Sequence, residues 1–200
     1  AELGLGVVGP VAYYVAVLCG LVVVVGLALY PVAAIVGRMS IRRFARAAAP
    51  AQAMAIATRS SLASLPALIE GAKRHLGDRP GITGFVLPLC VATFKINTPI
   101  SDLVGPLFLA HLYGVPLSAT QIGTMTLVTI AMRFSNPGIP SAGLFVVTAP
   151  VMLIVGLPLD GIALLVAADA IPDIFNTTIN VTGDMAVAAM IEPGASVAIA

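Results

Sequence analysis

Charge is scarce in this chain. Asp, Glu, Lys and Arg make up 10% of its 200 residues, against roughly 25% in soluble domains. With 59% hydrophobic residues and a mean hydropathy of +1.05, the polar surface is too small to cover a globule in water. Lipid must cover much of it, and a bilayer is the first expected partner. The few charges nearly cancel to +1, which excludes the field that recruits nucleic acid. Cysteine is also sparse: Cys19 and Cys90 sit in separate apolar runs, with no disulfide or thiolate-metal pattern. No HExxH, no GxSxG and no metal-spaced His/Cys set occurs, so no enzyme and no resident cofactor is expected. His75 lies in a basic loop and His111 at a helix end. Nor does a charged n-region or cleavage site precede the first apolar run, and the chain reads as part of a longer protein.

What is present is five apolar blocks. Residues 7–37 are almost uninterrupted, long enough to cross a bilayer core of about 30 Å with tilt. Residues 48–75 are weaker, broken by Arg59-Ser60-Ser61 and Leu65-Pro66; residues 119–156 are two apolar halves around a stretch from Arg133 to Pro140 rich in Pro and Gly. Halves this short cannot span, and irregular backbone at their tips cannot face lipid. Two re-entrant helical hairpins are therefore expected. Residues 82–113 predict a transmembrane helix interrupted at Lys95-Ile96-Asn97-Thr98-Pro99, and residues 159–191 a transmembrane helix with a polar face.

Basic residues orient these blocks. Arg38, Arg42, Arg43 and Arg46 precede the first hairpin and Lys73, Arg74 and Arg79 follow it, whereas 111–121 and 156–160 contain neither Lys nor Arg. The positive-inside rule puts both ends of the first hairpin in the cytoplasm and both ends of the second outside. Opposed hairpins meeting near mid-membrane are an inverted-repeat arrangement of secondary transporters. The other three cations, Arg59, Lys95 and Arg133, all fall at breaks.

In the last block Asp169, Asp173, Asn176, Thr177, Asn180 and Asp184 share an arc of roughly 100° on a helix whose remainder is Ala, Val, Ile and Met. Carboxylates in a spanning helix are costly unless they face partners, ions or water. Carboxylate with amide oxygens is also a ligand set that suits hard cations.

These residues resemble the dicarboxylate/amino acid:cation symporter family, which includes the glutamate transporters. Thr58-Arg59-Ser60-Ser61 with Leu65-Pro66 is similar to the family's first hairpin tip, and Phe85-Val86-Leu87-Pro88-Leu89 to the start of its seventh helix. Gly138-Ile139-Pro140-Ser141-Ala142-Gly143 resembles the second tip; Asp169-Ala170-Ile171-Pro172-Asp173 and Asn180-Val181-Thr182-Gly183-Asp184 resemble the eighth helix. The resemblance implies an all-α integral membrane fold, a glutamate-transporter-like transport domain with two opposed re-entrant hairpins and a broken helix. It implies an elevator mechanism on a homotrimeric scaffold whose helices lie outside this chain, multi-pass in the plasma (inner) membrane. It implies that Asp173 binds a substrate amino group, that Thr177 and Asn180 contact its α-amino and α-carboxylate groups, and that Asn180, Asp184 and Asn97 hold Na⁺. Arg59, Ser60, Ser61, Thr98, Gly138, Ile139, Pro140 and Gly143 complete the substrate site. The function implied is cation-coupled symport of an amino acid or dicarboxylate; a passive channel and a degenerate, non-transporting relative are the alternatives.

Two departures stand out. The family's Asn-Met-Asp-Gly-Thr motif is here Phe94-Lys95-Ile96-Asn97-Thr98, with no carboxylate and a lysine added. Lys95 is expected to stand in for one bound cation, pairing with Asp184 or Asp169, so that coupling to Na⁺ is reduced, lost or passed to H⁺. At Asn176 the family's acidic-amino-acid carriers have an arginine for the substrate's side-chain carboxylate. Its absence predicts a neutral or polar amino acid.

Overall fold

The computed structural model describes residues 3–132, 141 and 143–191, and all regular structure among them is helical. The first helix, α1 (Leu3–Val36), has 34 residues and reaches about 50 Å at 1.5 Å per residue. Its stretch Gly6–Val36 is the one described helix that is by itself long and apolar enough to cross a membrane. Tyr13, Val24, Leu27 and Ile35 on it are 65–75% exposed. Large apolar side chains left bare in this way are what a surrounding of lipid or further protein covers.

The chain then turns closely against its own last helix. A Cβ on Gly37 would lie 2.6 Å from the Ala33 carbonyl oxygen and 2.8 Å from that of Ala189, so only glycine fits. Ser40 caps α2 (Ile41–Thr58), its hydroxyl accepting from the Arg43 N–H at 3.2 Å. This arm begins seven residues before the expected 48, because Arg42, Arg43 and Arg46 extend the helix rather than precede it; arginine is a good helix former. Phe44, Ala47, Ala48, Ala51 and Ala55 form its buried face. Such small side chains let α3 (Leu65–Leu76) and the last helix approach closely.

Next come α4 (Ile82–Thr93), which opens with a π-helical turn at Ile82–Val86, and α5 (Thr98–Leu112). The expected interruption is the gap between them. The pair α6 (Ala119–Met132) and α7 (Leu144–Ile154) pack on each other on either side of the second tip. Each of α4 to α7 is too short to span alone.

The segment expected as one helix over 159–191 is two: α8 (Gly161–Ala168) and α9 (Ala170–Ile191), bent by 70° at Asp169. Pro172 in the first turn of α9 has no N–H to continue the α8 ladder, yet suits a helix start. Two apolar clusters follow. One joins α2, α3 and α4 to Val181, Met185, Ala186 and Ala189 of α9. The other joins Tyr14, Leu18, Val22 and Leu29 of α1 to α5, α6, α7, α8 and Ile179 of α9. α9 is buried along most of its length, and its polar residues face the end of α2, the α4–α5 gap and the start of α7.

Candidate functional site

Thirteen of the 22 residues of α9 are buried, polar ones included: Asn176, Thr177, Asn180 and Asp184 are all under 8% exposed. Asp169 lies at the bend, its carbonyl accepting the Asp173 N–H at 2.8 Å. Asp169, Asp173, Asn176, Thr177 and Asn180 wall one side of a cavity of about 50 Å³. Asp184, one turn further and wholly buried, lies beyond its wall.

The opposite walls come from three interruptions. At the end of α2, Arg59 takes a left-handed conformation, φ 51°, and donates its N–H to the Ala55 carbonyl at 2.8 Å. That turn brings Arg59 and Ser61 to the cavity, while Ser60 holds the bend by accepting from Ser64. Arg59 is an electrostatic neighbour of both Asp169 and Asp173.

The α4–α5 gap supplies Lys95 and Asn97. α4 stops because Phe94 is extended, φ −97° and ψ 105°, and Pro99 suits the first turn of α5. Backbone groups left open by such a gap need partners away from water. The Asn97 N–H donates to the Asn180 side-chain oxygen at 3.1 Å. The Lys95 ammonium, 1% exposed, donates to the Val91 carbonyl at 2.5 Å. Ile96 and Phe94 seat against α9 at Gly183, where a Cβ would lie 3.2 Å from Ile96. The direct ion pairs among the described residues are Lys73–Asp78 and Arg74–Glu70, both at the far end of α3. The expected pairing of Lys95 with Asp184 or Asp169 is therefore corrected: the open carbonyl of α4 takes its ammonium, and Asp184 remains an electrostatic neighbour without direct contact.

The third wall is the start of α7. Ser141 donates its hydroxyl to Asp169 at 2.5 Å, and Gly143 lines the cavity beside it. Gly138, Ile139, Pro140 and Arg133 lie outside the described residues, as does the side chain of Thr98.

Five lining residues were not anticipated: Asp102, Ser101, Tyr14, Leu18 and Leu144. Asp102 on α5, 4% exposed, accepts from Thr148 at 2.8 Å. The stretch 94–98 lacks a carboxylate, but this one reaches the same cavity from one turn into α5. Ser101 donates to the Asn176 side-chain oxygen at 2.6 Å, and Tyr14 and Leu18 of α1 close the floor. A lone acid in an apolar helix was the available signal for Asp102. Tyr14 carried none. Several oxygens here are buried with no hydrogen-bond partner: Asp173 Oδ2, Asn97 Oδ1 and both of Asp184. Buried polar atoms are nearly always satisfied, so the two on the cavity wall, Asp173 Oδ2 and Asn97 Oδ1, point to a bound solute.

Residues 1–193 match the sodium:dicarboxylate symporter family. Excitatory amino acid transporter 2 of Homo sapiens is 34% identical over 172 residues, 86% of this chain and 30% of that protein. Excitatory amino acid transporter 3 of Mus musculus is 36% identical over 150 residues, 75% and 28% of the two chains. Excitatory amino acid transporter 5 of Mus musculus is 37% identical over 177 residues, 86% and 31%. The chain thus spans about a third of the length of these relatives. They are membrane transporters, not enzymes. With a matching polar helix, and breaks that meet it at one cavity, this chain belongs to the sodium:dicarboxylate symporter family.

Proposed function

We propose that this chain is most of the solute-carrying part of a secondary active transporter that takes an amino acid across the plasma (inner) membrane together with a cation. The observation that carries the reading is the buried polar cavity, walled by one face of α9 and by three interrupted segments. Irregular backbone is tolerated at membrane depth only around such a cavity. The relatives named as excitatory amino acid transporters support it.

In this reading α2–α3 and α6–α7 are re-entrant hairpins entering from opposite sides, and the domain moves as an elevator against trimer-forming scaffold helices outside this chain. Asp173 receives the substrate's amino group; Thr177 and Asn180 contact its α-amino and α-carboxylate groups. Arg59, Ser60 and Ser61 close one side, with Thr98 beside them, and Gly138, Ile139, Pro140 and Gly143 close the other. Asn97, Asn180 and Asp184 form the cation-holding end of the site, whose positive charge comes from solution or from the chain itself. Asn176 offers no charge to a side-chain carboxylate, so the substrate is a neutral or polar amino acid.

The test is uptake of labelled serine by the full-length protein in vesicles. The expected result is accumulation against a gradient, competed by alanine better than by aspartate, and weakened when all external cations but choline are removed. Uptake that only equilibrates would make it a passive pore, and strong preference for aspartate would overturn the substrate assignment.

A further inference from the structure

We infer that Lys95 is a cation built into the chain, which holds beside Asp184 the place a soluble cation would take, so that the Asp184 site binds no Na⁺. The inference deepens the cation-coupled reading above and rests on it.

Lys95 is fully buried in the α4–α5 gap, where an ammonium persists only with partners. One is the Val91 carbonyl. Because α4 ends at Thr93, that oxygen lies at a helix C-terminus, the end that favours a cation. An ammonium has three donors, and this bond uses one. Its electrostatic neighbour is Asp184, wholly buried with neither oxygen hydrogen-bonded. Asn97, two residues along the gap, likewise has an unpartnered, buried side-chain oxygen. The gap is pressed onto the α9 turn that carries Asp184, through Ile96 and Phe94 on Gly183.

Oxygens of Asp184, Asn97 and Asn180 suit a hard cation in kind. Two facts oppose Na⁺ there. The Asn180 oxygen already accepts the Asn97 N–H, and a fixed positive charge in low dielectric repels a second one. Lys95 and Asp184 together carry no net charge, so nothing remains at this end of the site to attract an ion. A lysine that only capped α4 would leave Asp184 able to recruit Na⁺, and this separates the two roles.

The experiment is thermal unfolding of the purified full-length protein, titrated with Na⁺ against choline without substrate. In wild type, Asp184→Asn is expected to leave the Na⁺ response unchanged. Lys95→Met is expected to acquire a new, saturable Na⁺ response that Asp184→Asn abolishes, whereas Lys95→Arg acquires none. A wild-type Na⁺ response that disappears in Asp184→Asn overturns the inference, and does so even where Lys95→Met fails to fold. Unfolding needs no transport, so failure of uptake would strike the proposed function and leave this test standing.

Discussion

At Asn176, a side chain 7% exposed has its amide oxygen held by the Ser101 hydroxyl at 2.6 Å. That bond fixes the amide at the cavity wall, where it offers polarity and no charge. Asn176→Arg would place a guanidinium there, and a hydrogen bond to a charged group contributes about 1.5–3 kcal/mol. The expected outcome is a gain of roughly ten- to a hundredfold for aspartate relative to serine, by that energy, read as the ratio of uptake KM values. An unchanged ratio would remove Asn176 from specificity. Ser141 is the second test: its hydroxyl on Asp169 joins the start of α7 to the α9 bend. Ser141→Ala is expected to weaken uptake about tenfold, near 1.4 kcal/mol, and Ser141→Thr to restore part of it. The polar arc of α9 was legible because helical periodicity puts Asp173, Asn176, Thr177, Asn180 and Asp184 together regardless of what packs around them, with Asp169 at the bend just before. Asp102 and Tyr14 were not, since each is isolated among apolar neighbours and reaches the cavity only through the path of α5 and α1.

Among the elements, interruptions matter more than helices. The gap at 94–97 and the tip at 59–64 were readable from Pro, Ser and charge set inside apolar runs. The start of α2 was misplaced because arginines that mark a membrane boundary also make good helix. The bend at Asp169 was hidden because α8 and α9 form one apolar run, and Pro172 in a first turn costs little. Close packing between elements is testable at Gly37, where backbone carbonyl oxygens of Ala33 and Ala189 occupy the space a Cβ needs. Gly37→Ala must push the end of α1 off α9, at about 1–3 kcal/mol for overpacking. The expected outcome is a lower unfolding temperature in detergent with substrate selectivity unchanged. The same substitution at Gly20 inside α1, where nothing lies within 4 Å, is the control and should not lower it, since alanine is the better helix former.

For the whole molecule the question is whether the α2–α3 and α6–α7 pairs, proposed above as re-entrant hairpins, enter from opposite sides. Arg38, Arg42, Arg43 and Arg46 are exposed around the α1–α2 turn, while Glu70 and Asp78 are engaged by Arg74 and Lys73. This end of the α2–α3 pair is therefore strongly cationic, and the connection at 156–160 after α7 carries no Lys or Arg. Beside the arginines, Ile35 and Ile41 are 75% and 52% exposed, an apolar-to-cationic boundary of the kind found at a headgroup layer. By the positive-inside rule the proposed orientation has Arg42 in the cytoplasm and Leu159, 43% exposed, on the other side. Single cysteines decide this in a Cys19→Ser, Cys90→Ser background. Arg42→Cys should react with an impermeant maleimide only from the cytoplasmic face, and Leu159→Cys only from the outer face. Labelling of both from one face would mean that the hairpins enter together, and the cavity on α9 could not then be offered to the two sides of the membrane in turn.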